Sequence, residues 1–250
     1  MNSELAVRLK LRYSPAAILF TNEKPEGALA FAEKKWGCVA ALLSAAVKGK
    51  TSVFSRTTFG CLGGGVGLGF GNMYPQFPGG FAQFLSTGKG EGYPDGEAYK
   101  KTPELAQRFA DDLPMTDIPE QYVVFKPLAE VDRSIEEPKI IVFYVSPDQL
   151  SALVVLANYG RQDNNNVIIP FAAGCQSTCL IPWHEANQDK PRAVIGMTDI
   201  SARPVIDADL LSFSVPFSLF KEMEGNASGS FLDKEAWHKV AKRIPGPPCP

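Results

Sequence analysis

Four cysteines, Cys38, Cys61, Cys175 and Cys179, form the strongest chemical constellation in this 250-residue chain. Thiolates are soft ligands, and four of them suffice to complete a zinc site or an iron–sulfur cluster. Cys175 and Cys179 are separated by three residues, a spacing that puts both sulfurs on one side of a helical turn. Gly60 and Gly174 precede Cys61 and Cys175, so the backbone at both places can approach a bulky group closely. No Cys-x-x-Cys knuckle is present, and Cys38 falls inside a helical pattern, where a thiol also serves as a small apolar residue. Buried or reactive free thiols are therefore the competing reading. The fifth cysteine, Cys249, lies in the terminal Pro-Gly-Pro-Pro-Cys-Pro and is not expected to ligate anything.

A second feature follows Cys61 directly, the run Gly60-Cys61-Leu62-Gly63-Gly64-Gly65-Val66-Gly67-Leu68-Gly69-Phe70-Gly71. After a strand, such a run can turn its amides toward an anion, with Gly60, Gly63, Gly64 and Gly65 as the candidate ligand-binding positions. It carries neither a dinucleotide fingerprint nor a Lys-Ser/Thr pair, and a tight bend needing positive φ explains it equally well. Arg203, before Pro204, is a candidate grip for a carboxylate or phosphate. An ion pair with Asp199, Asp207 or Asp209 is the simpler expectation for it. His184, five residues past Cys179, is a candidate metal ligand or a base for a cysteine nucleophile. His238 is expected on the surface, and two histidines exclude a His-rich catalytic metal centre.

The elements that must position these groups recur. Ala16–Phe20 suits a buried strand, followed by a helix from Pro25 to Gly49 with Leu29, Ala32, Trp36, Val39, Leu43 and Val47 on its apolar face. Thr51–Ser55 is then a strand running to Gly60-Cys61. Later, Ile140–Val145 is a β-branched strand, and Ser146-Pro147-Asp148 starts a helix that Gly160 ends. Asn166–Phe171 leads to Gly174-Cys175. Tyr122–Phe125 and Leu211–Val215 are candidate closing strands, Glu104–Asp112 a helix, and Asp233–Arg243 a terminal amphipathic helix. The expected fold is α/β (or α+β), with two pseudo-symmetric strand–helix–strand halves, about 5–130 and 131–225, packed as one domain over residues 1–244. The tail 245–250 is expected to be disordered. An internal duplication predicts that Cys61 and Cys175 come close together in space.

Bulk properties narrow the field. Apolar residues make up 45% of the chain, charged residues 21%, and the net charge is −2. That composition suits a globular core and offers no electrostatic reason to bind nucleic acid or an anionic membrane. No apolar stretch reaches the ~18 residues a membrane span requires, and the polar start lacks a basic-then-apolar signal. The expected location is the cytoplasm, where cysteines stay reduced.

Several unlinked motifs also carry a family likeness. Gly-Cys-x-Gly-Gly with Gly-Leu-Gly-Phe over 60–70, Ser-Pro-Asp-Gln at 146–149, and Ile-Ser-Ala-Arg with its following acidic pair over 200–209 resemble the family catalogued as domain of unknown function 169. The likeness spans roughly residues 5–225, and Cys38 and Cys175 fall where that family tends to carry cysteines. It implies a prokaryotic, often anaerobe-associated, cysteine-containing cytoplasmic protein, and it implies no mechanism.

Three functions fit these residues. The first is an iron–sulfur cluster (or zinc) held between the halves by Cys38, Cys61, Cys175 and Cys179. The second is a binding or sensing module for an anionic small molecule, without a metal. The third is an enzyme with Cys61 or Cys175 as nucleophile and His184 as base. A small molecule, a redox partner or a second copy of the chain are the partners compatible with them.

Overall fold

The computed structural model describes residues 3–88, 96–132 and 134–245. Among them the strands are β1 (Ala16–Thr21), β2 (Ser52–Ser55), β3 (Tyr122–Pro127), β4 (Ile140–Val145), β5 (Val167–Ile168), β6 (Ala193–Gly196) and β7 (Leu211–Pro216). The α-helices are α1 (Glu4–Arg8), α2 (Val39–Val47), α3 (Leu62–Gly67), α4 (Phe81–Leu85), α5 (Pro103–Asp112), α6 (Pro147–Tyr159), α7 (Ile181–Ala186), α8 (Phe217–Gly225) and α9 (Glu235–Ala241). None is long and apolar enough to cross a membrane. The tail at 246–250, with Cys249, lies outside the described residues.

The strands form one sheet of order β2-β3-β1-β4-β7-β6-β5, antiparallel except for the β5–β6 pair. β4 shows why it is central. All six of its residues, Ile-Ile-Val-Phe-Tyr-Val, are buried, so this apolar run needs cover on both faces. Alternation sorts its side chains. Ile140, Val142 and Tyr144 join α2, α3, α4, α5 and the chain around Cys175 on one face, here called the thiol face. Ile141, Phe143 and Val145 join α1, α6, α8 and α9 on the other. The mixed α/β class expected from the sequence is the class observed.

The two halves share an order of elements, but their helices α2 and α6 do not follow a two-fold axis. An axis exchanging the antiparallel neighbours β1 and β4 stands normal to the sheet, and it would return α2 and α6 to the same face. They occupy opposite faces. What the halves do share is the element after each Gly-Cys. Both α3 and the helix beginning at Gly174 lie on the thiol face.

The first helix is shorter than its apolar spacing predicts. It begins only after Cys38, its N-cap. Gly27 (φ +69°) and Lys34 (φ +56°) take left-handed backbone, which no α-helix accommodates. Leu29 instead bridges Ser52 in parallel fashion, and Trp36 is 80% exposed rather than inward-facing. The strand expected over 166–171 is likewise only Val167–Ile168, Pro170 having no N–H to extend it. Where the capping chemistry is explicit the expectation holds. Gln149 accepts the Ser146 N–H at 2.8 Å and donates to the Leu9 and Lys10 carbonyls, so it caps α6 and ties down the end of α1.

These positions separate by mutation. Leu43→Ala, on the buried side of α2, should cost about 2–5 kcal/mol in urea unfolding. Trp36→Ala should stay within about 0.5 kcal/mol, whereas a helix extending back to Pro25 would make both changes costly.

Candidate functional site

Three Gly-Cys dipeptides, from three separate stretches of chain, meet on the thiol face. Cys38 caps α2, Cys61 caps α3, and Cys175 opens the helical stretch that ends in α7. Gly60 (φ +81°) sets Cys61 at the head of α3, and a Cβ on Gly60 would collide with the Gly37 carbonyl oxygen and the Phe31 ring. On the other side of Cys38, Val39 packs against Gly64, where a Cβ would come within 2.8 Å of Val39 Cγ2. Cys38 is thus bracketed, front and back, by the segment that carries Cys61.

Cys175 enters from the opposite half. Its Sγ donates to the Gly63 carbonyl at 3.3 Å, and a Cβ on Gly67 would stand 2.6 Å from that sulfur. Only glycine at 67 lets the two helices approach so closely. Cys61 Sγ accepts the Gly64 N–H at 3.1 Å. Burial raises the Cys61 thiol pKa, opposed by that amide and reinforced by Cys38. Burial also pushes Cys175 far up, with the neighbouring Cys61 and Cys38 adding to it. These three thiols therefore form one electrostatic unit. The expected proximity of Cys61 and Cys175 is present on this shared face.

Cys179 stands apart from this unit. It is 1% exposed in the apolar core, and burial alone pushes its pKa up to about 12. Among the described residues no group of three or more His, Cys, Asp or Glu is arranged to hold a metal ion.

Of the glycine-rich run, which suits a ligand loop or a tight bend equally, Leu62–Gly67 is helix α3, while Gly60, Gly69 and Gly71 take positive φ. Gly63, Gly64 and Gly65 lie within α3, and Gly64 spends its amide on Cys61. Space at Gly65 is taken by Met73, so this glycine serves packing. Arg203 is committed to backbone, and among the described residues it makes no ion pair with Asp199, Asp207 or Asp209. Its guanidinium donates to the carbonyls of Ala208 (2.8 Å) and Leu210 (2.5 Å), clasping the turn before β7. Asp207 and Asp209 pair with Arg12 instead, at 2.9 and 2.6 Å. His184 is exposed on α7 beside Gln188 and, among the described residues, has no hydrogen bond with a cysteine. A cysteine nucleophile therefore lacks the expected base, and thiols with raised pKa lack the activation such chemistry needs.

Residues not singled out from the sequence complete the surroundings. Tyr74, stacked on Phe81 at 3.7 Å, takes a hydrogen bond from Gln176 and lies close enough to Cys175 and Cys61 to feel their charge. Asp199 Oδ2 accepts the Gly174 N–H at 3.1 Å, capping the helix that starts at the third Gly-Cys. Its other oxygen accepts from Tyr99 (3.2 Å) and from the Ser201 amide (3.0 Å). Within that helix, Gln176–Leu180 has π geometry, a distortion frequent at functional sites. The sheet beneath is lined by small groups. A Cβ on Gly196 would collide with Ser177, and the buried Ser212 and Ser214 hydroxyls have no hydrogen-bond partner among the described residues.

A family model covers most of the chain, matching residues 4–226. The chain belongs to the family of domain of unknown function 169, described as an uncharacterised ArCR. No curated protein and no solved structure matches it. α9 and the chain after residue 226 fall outside the family match.

Two measurements probe this packing. Gly67→Ala should destabilise by about 1–3 kcal/mol, because the added methyl enters the space of Cys175. Alkaline pH should reveal Cys179. An unfolded thiol ionises near about 8.5, whereas the folded one holds its proton to about 12, so stability is lost as pH rises through that window. Between ~pH 8 and ~pH 10 the wild type should lose more stability in urea titrations than Cys179→Ala; parallel curves would contradict this.

Proposed function

We propose that this protein holds an iron–sulfur cluster through three cysteines, Cys38, Cys61 and Cys175. The observation that carries the reading is the convergence of three Gly-Cys helix starts, from both halves of the chain, on one face of the sheet. The donor set is reduced from the four cysteines expected, because Cys179 faces apolar core and not the other thiols. Burial and the neighbouring thiols raise the Cys61 and Cys175 pKa values, so ionising them together calls for a compensating positive charge, and bound iron would supply it. A single zinc ion needs each sulfur about 2.3 Å from one point, and the thiols are not grouped for that. A cluster spreads its ligands over several metal atoms and suits the wider spacing. Glycines at 60, 64 and 67 keep side chains out of the space between the caps. Cluster-based electron transfer or substrate binding at the iron not bound by a protein thiolate are the activities open to such a centre.

The test is anaerobic purification of the full chain with iron, zinc and acid-labile sulfide analysis and a visible spectrum. Iron and sulfide in similar amounts, with broad visible absorbance, are expected. Cys38→Ser, Cys61→Ser and Cys175→Ser should each lose most of the iron, while Cys179→Ala retains it. Metal-free protein with every thiol titratable, or equal iron loss in Cys179→Ala, would sink the reading.

A further inference from the structure

The three thiols are not equivalent. Cys175 is 9% exposed and its sulfur is engaged with the Gly63 carbonyl, whereas Cys38 and Cys61 are both partly open to solvent. Cys38 makes no capping hydrogen bond with its sulfur. The residue before Cys38 touches the residue before Cys61, since Gly37 lies against Gly60. The residue after Cys38 touches the cap of Cys61, since Val39 lies against Gly64. Two chain segments in contact on both sides of a cysteine pair make the two cysteines neighbours, the first condition for a disulfide between them. Both cysteines also precede helices, so their own backbone is extended and lies outside the rigid helical ladder.

We propose that Cys38 and Cys61 are a redox modification site, closing to a disulfide with each other when a low-molecular-weight disulfide such as oxidised glutathione is present. The reaction is two successive exchanges. The Cys38 thiolate attacks one sulfur of the small disulfide, forming a mixed disulfide and releasing one thiol. Cys61 then attacks the Cys38 sulfur of that mixed disulfide and releases the second. Two protein thiols are oxidised, one small disulfide is reduced to two thiols, and the two protons lost by the cysteines end on the released thiols. Cys175 is left reduced, because its sulfur is buried beneath α3. Forming the bond requires only the juxtaposition of 38 and 61. That it is also the cofactor-free state of the centre rests on the iron–sulfur reading, since a cluster and this disulfide compete for the same two sulfurs.

The experiment treats the full chain with oxidised glutathione, once as purified with its iron and once after iron removal by chelation. Free thiols are then blocked by alkylation and the tryptic peptides are mapped by mass spectrometry. The expected product joins peptide 36–48 to peptide 57–89, with Cys175 and Cys179 alkylated after unfolding, and Cys38→Ser should instead stop at a glutathione adduct or no adduct. Crosslinking should be at least about tenfold slower in the iron-loaded protein. A glutathione adduct that persists on Cys38, or a bond to Cys175 in place of Cys61, would overturn the proposal even if iron is bound. A 38–61 bond in protein that never holds iron would uphold it and remove the cluster reading alone.

Discussion

The contact between the Gly37 carbonyl and Gly60 governs the chemistry of this molecule. No side chain other than hydrogen fits at Gly60, both because of that carbonyl and because its φ is +81°. With Phe31 filling the remaining space, the contact sets the starting points of α2 and α3 side by side. Cys38 and Cys61 are neighbours as a consequence, and α3 is aimed so that Gly63 and Gly67 receive Cys175. The sheet supplies a flat, doubly covered base, but the glycines decide how near the three caps come.

Much of the base was legible in the sequence. Ile140–Val145 is apolar throughout, and a strand that central can be nothing but buried. The Ser-Pro-Asp-Gln start of α6 carries its capping chemistry in consecutive residues, so it needs no tertiary information. The stretch before Cys38 was misleading for a physical reason. Leu29, Ala32 and Trp36 continue the helical spacing of α2, yet Leu29 is recruited as a strand partner by Ser52, and periodicity does not record that recruitment. The glycine-rich run misled in the opposite direction. Its glycines suggest a loop in isolation, but helix α3 gains more from close packing against α2, Met73 and Cys175 than it loses to glycine's low propensity.

The site was legible in part, and by distance along the chain. Cysteines announce themselves, so three of the converging groups were visible. Tyr74, Tyr99 and Asp199 carry no such signal. Asp199 in particular looked like a partner for Arg203, four residues on, whereas it caps a helix that begins 25 residues earlier. Arg203 in turn serves the backbone of its own turn, a use that no spacing of charged residues reveals.

The π-helical stretch Gln176–Leu180 acts as a phase shifter. An α-helix turns about 100° per residue, so the buried side of α7 and the direction of Cys175 are locked to each other by the number of residues between them. The wider turn absorbs a residue that would otherwise swing one of them out of place. Gly196, Ser212 and Ser214 leave room beneath it for that extra girth. With one residue fewer here, an uninterrupted α-helix would point Cys175 away from α3. Length at this one place, as much as residue identity, therefore keeps the Cys175 sulfur against Gly63.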